Sequence, residues 1–158
     1  MHTFHSEVLV TEPIETVFNF FNKPKNLVKM MPSYMAFELL TPEPLETRAG
    51  AIFDYNVTVF GLKNRWTTYI HDYDPPHRFT DIQLKGPNSY WHHTHEFKQT
   101  KEGTLIIDNI RFLLPLGWVG KLGYHLVMKH IVKSLFNYRT RVIQSEFTFL
   151  SEKKSIQS

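Results

Sequence analysis

The chain of 158 residues contains no cysteine, which removes disulfides, thiolate nucleophiles and cysteine-held zinc or iron–sulfur centres, and permits a reducing compartment. It also has no stretch of the ~18 consecutive apolar residues that a membrane-spanning helix needs. Its opening, Met1 to Glu7, has no basic segment leading into a long apolar run, so neither secretion nor membrane insertion is expected and the cytoplasm is the default location. Asn56-Val57-Thr58 fits a glycosylation acceptor, but without a secretory signal the match carries no weight. Glycine is sparse as well. The seven glycines include Gly61, Gly86 and Gly103 at turn-like positions and form no phosphate loop; no nucleophile elbow or nucleotide fingerprint is present.

Acidic residues are scarce only in the last part of the chain. The net charge is +3, yet from Lys121 onward seven Lys/Arg face only Glu146 and Glu152, a surplus of five, so the first 120 residues carry −2. A nucleic-acid partner calls for a denser basic stripe with exposed aromatics, and none is expected. Weak peripheral contact with an anionic membrane surface is compatible with the basic C-terminal segment, but stable insertion is not.

What the chain has in quantity is aromatic carbon. Thirteen Phe, seven Tyr and three Trp make 15% of the residues, which points to a thick or roomy apolar interior. At this length, one domain over 1–150 with a polar tail over 151–158 is expected, and such a domain buries about 68 to 70% of the surface its unfolded chain exposes.

Residues 4–10 alternate as a strand, with Phe4, Ser6, Val8 and Val10 on one face. Pro13 then suits a first helical turn, and Ile14, Val17, Phe18 and Phe21 fall at helical spacing. Asn22 is a candidate cap for a second short helix over 24–30, which Pro32 ends. From Phe37 to Leu113, turn signals recur every 8 to 14 residues or so, too close for helical crossovers, and predict an antiparallel meander with strands near 36–41, 51–60, 63–73, 78–85, 90–99 and 104–113. A long amphipathic helix is predicted from Val119 to Phe149, with Tyr124, Val127, Met128, Ile131, Leu135, Tyr138 and Val142 on its apolar side.

One long helix and two short ones cannot cover both faces of seven strands. The economical arrangement is an α+β helix-grip fold: a curved seven-stranded antiparallel sheet wrapped around a long C-terminal helix, with two short helices after the first strand. Such a sheet tends to leave an apolar space beneath the helix, the usual form of a small-molecule site.

The ordered set Phe79, Asp81, Gly86-Pro87, Trp91, His93, His95, Phe97, Thr104, Asp108, Pro115 and Gly117, within segments such as "PPHRFTD", "GPNSYWHHTHEF" and "GTLIIDNIRFLLPLG", resembles the START and Bet v 1-like (SRPBCC) superfamily. The similarity covers nearly the whole chain and is greatest to the bacterial single-domain group labelled polyketide cyclase-like or coenzyme Q-binding-like. It implies a cavity for a hydrophobic ligand and does not name the ligand.

The densest polar feature is "SYWHHTHEF", residues 89–97, with three of the chain's nine histidines. On a strand, Trp91, His93, His95 and Phe97 share one face and His92 falls on the other. Three meanings compete for the His93/His95 pair. The first is a buried polar seam hydrogen-bonded to Asp81, Asp108, Gln83 or tyrosine hydroxyls. The second is acid/base catalysis by a His–Asp couple, with His93, His95, Asp81 and Asp108 as weak catalytic candidates. The third is a metal pair that would need Asp81 or Asp108 as a further ligand; the seam is preferred, and no metal or other cofactor is expected.

Asp108 shares a face with Ile106, Ile110 and Phe112 and is expected to pair within the sheet, while Arg65 is expected outside and Trp66 in the core or cavity wall. The expected ligand-contacting set is Tyr55, Trp66, Asp81, Trp91, His93, His95, Phe97, Asp108, Tyr124, Met128 and Ile131. The favoured function is binding, with possible carriage, of a lipid, quinone or polyketide-like compound between sheet and helix. The alternatives are a cyclase- or dehydratase-like enzyme, and a ligand-free regulatory module using Lys121, Lys129, Lys133 and Arg141.

Overall fold

A computed structural model describes residues 1–43, 45–115 and 127–156, with side chains described as far as residue 147. The elements are β1 (His2–Val10), α1 (Ile14–Phe21), α2 (Pro24–Lys29), β2 (Met35–Leu39), β3 (Ile52–Val59), β4 (Leu62–Asp74), β5 (Arg78–Lys85), β6 (Tyr90–Gln99), β7 (Thr104–Leu113) and a C-terminal helix α3 (Lys129–Ile156). The strands form one antiparallel sheet in the order β1-β7-β6-β5-β4-β3-β2. This is the predicted helix-grip architecture. The expected start of the long helix at Val119, and Tyr124 on it, lie outside the described residues, and the helical backbone continues through Ile156, past the boundary expected at residue 151.

Local chemistry explains the connections. Phe60 and Gly61, at φ 48° and 81°, form a two-residue turn between Val59 and Leu62, the left-handed geometry that matches strand twist in a tight hairpin. Gly103 sits at φ 136° against the backbone of Val10 and Thr11, where a Cβ would collide with the Val10 carbonyl. Asn22 caps no second helix. It closes α1 as its C-cap, and Lys23 is the residue before α2. The first free N–H of α1, on Ile14, instead donates to Gln99 Oε1 of β6 at 2.9 Å, so a distant strand serves as the cap.

The apolar interior is divided. Val17, Phe18 and Phe21 of α1 pack with Phe97, Ile106, Phe79 and, from α3, Ile143 and Phe147. Ile110 and Phe112 of β7 pack with Val132 and Phe136. Phe53, Tyr55 and Ile70 make a third cluster on the other half of the sheet. The helices account for this division: α3 packs closest on β1, α1 on β6 and α2 on β2, and β4 and β5 meet α1 near the turn that joins them, through Tyr73 and Phe79 against Phe18.

The buried stripe of α3 is Val132, Phe136, Arg139, Ile143 and Phe147. It is rotated by about one residue from the predicted face, and Val127, assigned to the apolar side, is 51% exposed. Met128, Ile131, Leu135 and Val142 flank the stripe and are half-buried.

Candidate functional site

Between the sheet and α3 lies a cavity of about 370 Å³. Apolar side chains from every layer wall it, among them Phe37, Val57, Ile70, Leu27, Met30 and Leu135. Of the residues expected to contact a ligand, Tyr55 and Trp66 line it from β3 and β4, Trp91, His93 and His95 from β6, Asp81 from β5, and Met128 and Ile131 from the region of α3. Trp66 and Trp91 meet edge to face at 5.4 Å, and the Trp66 indole N–H donates to Thr68 Oγ1 at 3.1 Å. Arg65 points to the other face, where it is paired with Asp54 at 3.0 Å.

Two residues of the expected set are placed differently. Phe97 is 1% exposed and packs edge-on against Phe18 and Phe21 beneath α1, away from the cavity wall. Asp108 is 3% exposed and lies behind the histidines. Both share a strand face with cavity residues, but α1 roofs Phe97 and the two imidazoles screen Asp108.

The histidines and aspartates form a quartet built by strand register. Asp81 stands opposite His93, and His95 stands opposite Asp108. The side chains bond diagonally: His93 Nε2 lies 2.8 Å from Asp108 Oδ1, and His95 Nε2 lies 3.2 Å from Asp81 Oδ2. Two further contacts close the square, His95 Nδ1 to Asp108 Oδ1 at 2.8 Å and His93 Nδ1 to Asp81 Oδ2 at 3.6 Å. The first of these is short but poorly aligned, so His95 Nδ1 feels the charge of Asp108 without an in-line hydrogen bond. The imidazoles are 3.8 Å apart, and Phe79 stacks on His95 at 4.3 Å. Gln83, one of the expected partners, is occupied elsewhere. Its amide bonds Asn88 in both directions, at 2.7 and 3.1 Å, bracing the β5–β6 turn.

The charges sort themselves by surroundings. Burial opposes ionisation of Asp108, but the nearby Arg139 charge and the two histidines outweigh it and hold the carboxyl well below the usual range. Asp81 follows the same pattern: burial pushes its pKa up, and the His95 hydrogen bond with the His93, His95 and Arg139 charges brings it below its ordinary value. Burial and the neighbouring His95 lower His93. For His95 burial is outweighed by both aspartates, and its pKa is raised. Between the two carboxylates, the quartet therefore favours a proton on His95 over one on His93. Tyr55 is held neutral by burial and by the charge of Asp81.

Arg139 is the site residue that sequence reasoning did not single out. It is 4% exposed, lines the cavity, and lays its guanidinium over Phe136 with Cζ 4.8 Å from the ring centre. Its Nε and Nη2 have no hydrogen-bond acceptor among the described residues. The available signal was its spacing, since Val132, Phe136, Arg139 and Ile143 recur at helical steps and place a cation inside an apolar stripe.

Comparison with solved structures settles the architecture. Ginseng major latex-like protein 151 from Panax ginseng superposes with a TM-score of 0.65 at 12% identity, over 92% of this chain and 97% of that one. The fold is Bet v 1-like. A Chromobacterium violaceum protein matches this fold with a TM-score of 0.72 at 12% identity, covering 93% of this chain and 98% of its own. A Thermus thermophilus protein matches at 0.69 with 19% identity, covering 92% and 99%. At such identities the Bet v 1-like likeness concerns the fold alone. No family model matches the sequence, and no curated protein matches it.

Proposed function

We propose that the protein binds a hydrophobic small molecule, of the lipid, isoprenoid quinone or polyketide-like kind, in the cavity between the sheet and α3. The observation that carries this reading is the cavity itself, about 370 Å³ of mostly apolar wall with a polar end that includes Asp81, His93, His95 and Arg139. A ligand burying about 300 Å² of apolar surface would gain about 7 kcal/mol before ordering costs. The polar end would then orient the ligand's oxygen atoms. This function suits a one-domain cytoplasmic member of the polyketide cyclase-like or coenzyme Q-binding-like group, and among the described residues no helix is long and apolar enough to cross a membrane.

Native mass spectrometry of protein taken directly from cells, followed by solvent extraction, should reveal a co-purifying molecule. An environment-sensitive apolar dye should enter the emptied cavity, and Leu135→Trp, which fills it, should weaken the dye by tenfold or more. No bound molecule together with no dye uptake would sink the proposal.

One feature favours a second reading, a cyclase- or dehydratase-like acid/base reaction. The His95–Asp81 couple has its partners at 3.2 Å and faces the cavity, the geometry a positioned proton donor needs. Turnover of a bound β-keto compound that is lost in His95→Gln while binding persists would support it.

A further inference from the structure

Asp108 stands behind both imidazoles. One nitrogen of each ring faces it, His93 Nε2 and His95 Nδ1, at 2.8 Å each. The opposite nitrogens, His93 Nδ1 and His95 Nε2, then turn toward the single atom Asp81 Oδ2, at 3.6 and 3.2 Å. Two imidazole nitrogens and a carboxylate oxygen thus converge on one point. A proton between His95 and Asp81 can hold such a trio together, and so can a metal ion.

We propose that Asp81, His93 and His95 form a three-ligand site for a divalent, nitrogen-preferring metal ion such as zinc, with its fourth position open to the cavity. The trio's ligand atoms lie within 4.8 Å of one another. Bonds of about 2.0 to 2.2 Å in tetrahedral geometry separate neighbouring ligands by roughly 3.4 Å, and the two contacts to Asp81 bracket that value. Two imidazoles select zinc, cobalt or copper over magnesium or calcium. Asp108, on the far nitrogen of each ring, occupies the supporting position that carboxylates take behind metal-bound histidines. Adjacent antiparallel strands carry all four side chains, so the trio comes assembled by the backbone ladder. Entry runs through the cavity, where the Asp81 side chain retains 17% exposure.

Both ligating imidazole nitrogens must be free of protons when the ion binds, so affinity should rise with pH. Two carboxylates, Arg139 and a divalent ion leave one net positive charge, so the fourth position favours an anionic oxygen, either hydroxide or a ligand's carboxylate or enolate. This goes beyond the apolar-binding reading and does not require it.

The test is Co²⁺ titration of tag-free protein stripped with chelator. One equivalent should bind with the intense visible absorption of tetrahedral cobalt, and zinc should displace it. Asp108→Asn should weaken cobalt 10- to 100-fold. Asp81→Asn and His93→Gln should abolish the spectrum, while His5→Ala, a surface imidazole, should leave it unchanged. The wild-type spectrum alone decides the matter if a variant fails to fold. A pale octahedral spectrum, or binding at several weak equivalents, would overturn the proposal, as would full-strength binding by folded Asp81→Asn. Dye uptake, scored separately on the same stripped protein, reports on the apolar-binding reading independently.

Discussion

Asp108→Ala, studied in the presence of chelator, examines whether the quartet and Arg139 act as one electrostatic unit. The carboxylate is 3% exposed, accepts from His93 at 2.8 Å, touches His95 at the same distance, and supplies negative charge near a guanidinium that lacks acceptors at Nε and Nη2. Removing it leaves Arg139 and the two imidazoles with Asp81 as the remaining carboxylate of the quartet. Breaking a buried charge arrangement in this way costs about 3 to 5 kcal/mol. For a chain of this length that corresponds to a fall in Tm of roughly 6 to 20 °C. Urea and thermal unfolding at neutral pH measure it. Adding Arg139→Met removes the stranded cation, so the double variant should be more stable than the sum of the singles by about 1 to 3 kcal/mol. A loss below about 1 kcal/mol for Asp108→Ala, or strict additivity with Arg139→Met, would refute the coupling.

Two other outcomes follow from the same geometry. His95 has a raised pKa, so its charge contributes stability fully below its unfolded value of about 6.5, and that contribution fades as pH rises through the folded value. The stability gap between wild type and His95→Gln, measured by urea unfolding across pH in chelator, should therefore be widest below about pH 6.5 and narrow on the alkaline side; a gap that widens with pH contradicts the assignment. Phe97→Ala should cost about 3 to 5 kcal/mol while leaving the dye affinity of the folded protein unchanged, since the ring packs under α1 and not on the cavity.

Much of this is legible in the chain because strands have a period of two. With β6 and β7 bounded by Gly86-Pro87 and Gly103, alternation alone puts His93 and His95 inside, sends His92 outside, and aims Asp108 inward from β7. Alternation does not say what roofs a face. It therefore groups Phe97 and Asp108 with the cavity residues, although α1 covers one and the histidines cover the other. The helix is harder still. Aliphatic and aromatic residues lie on either side of the true stripe of α3, so a shift of one residue fits the pattern nearly as well, and a buried arginine is rare enough to be assigned to the solvent side by default. Asn22 misleads for a different reason: its side chain suits a helix start, but the N–H group that needed an acceptor is reached from β6 by Gln99.

The divided core has a mechanical consequence. The half of the sheet formed by β1, β7 and β6 is clamped under α1 and α3, whereas β2, β3 and β4 hold their own small cluster across the void. The two halves are joined by β5, whose ladder to β6 runs only from Arg78 opposite Glu96 to Ile82 opposite His92, and whose ladder to β4 slips its register at Thr67/Thr68 and again between Ile70 and Asp72. The sheet is thus an anchored plate with a compliant wing. Guests of different girth could be accommodated by bending along β5, with no side chain of the anchored half having to repack, and amide hydrogens of the wing should exchange before those of β6 and β7.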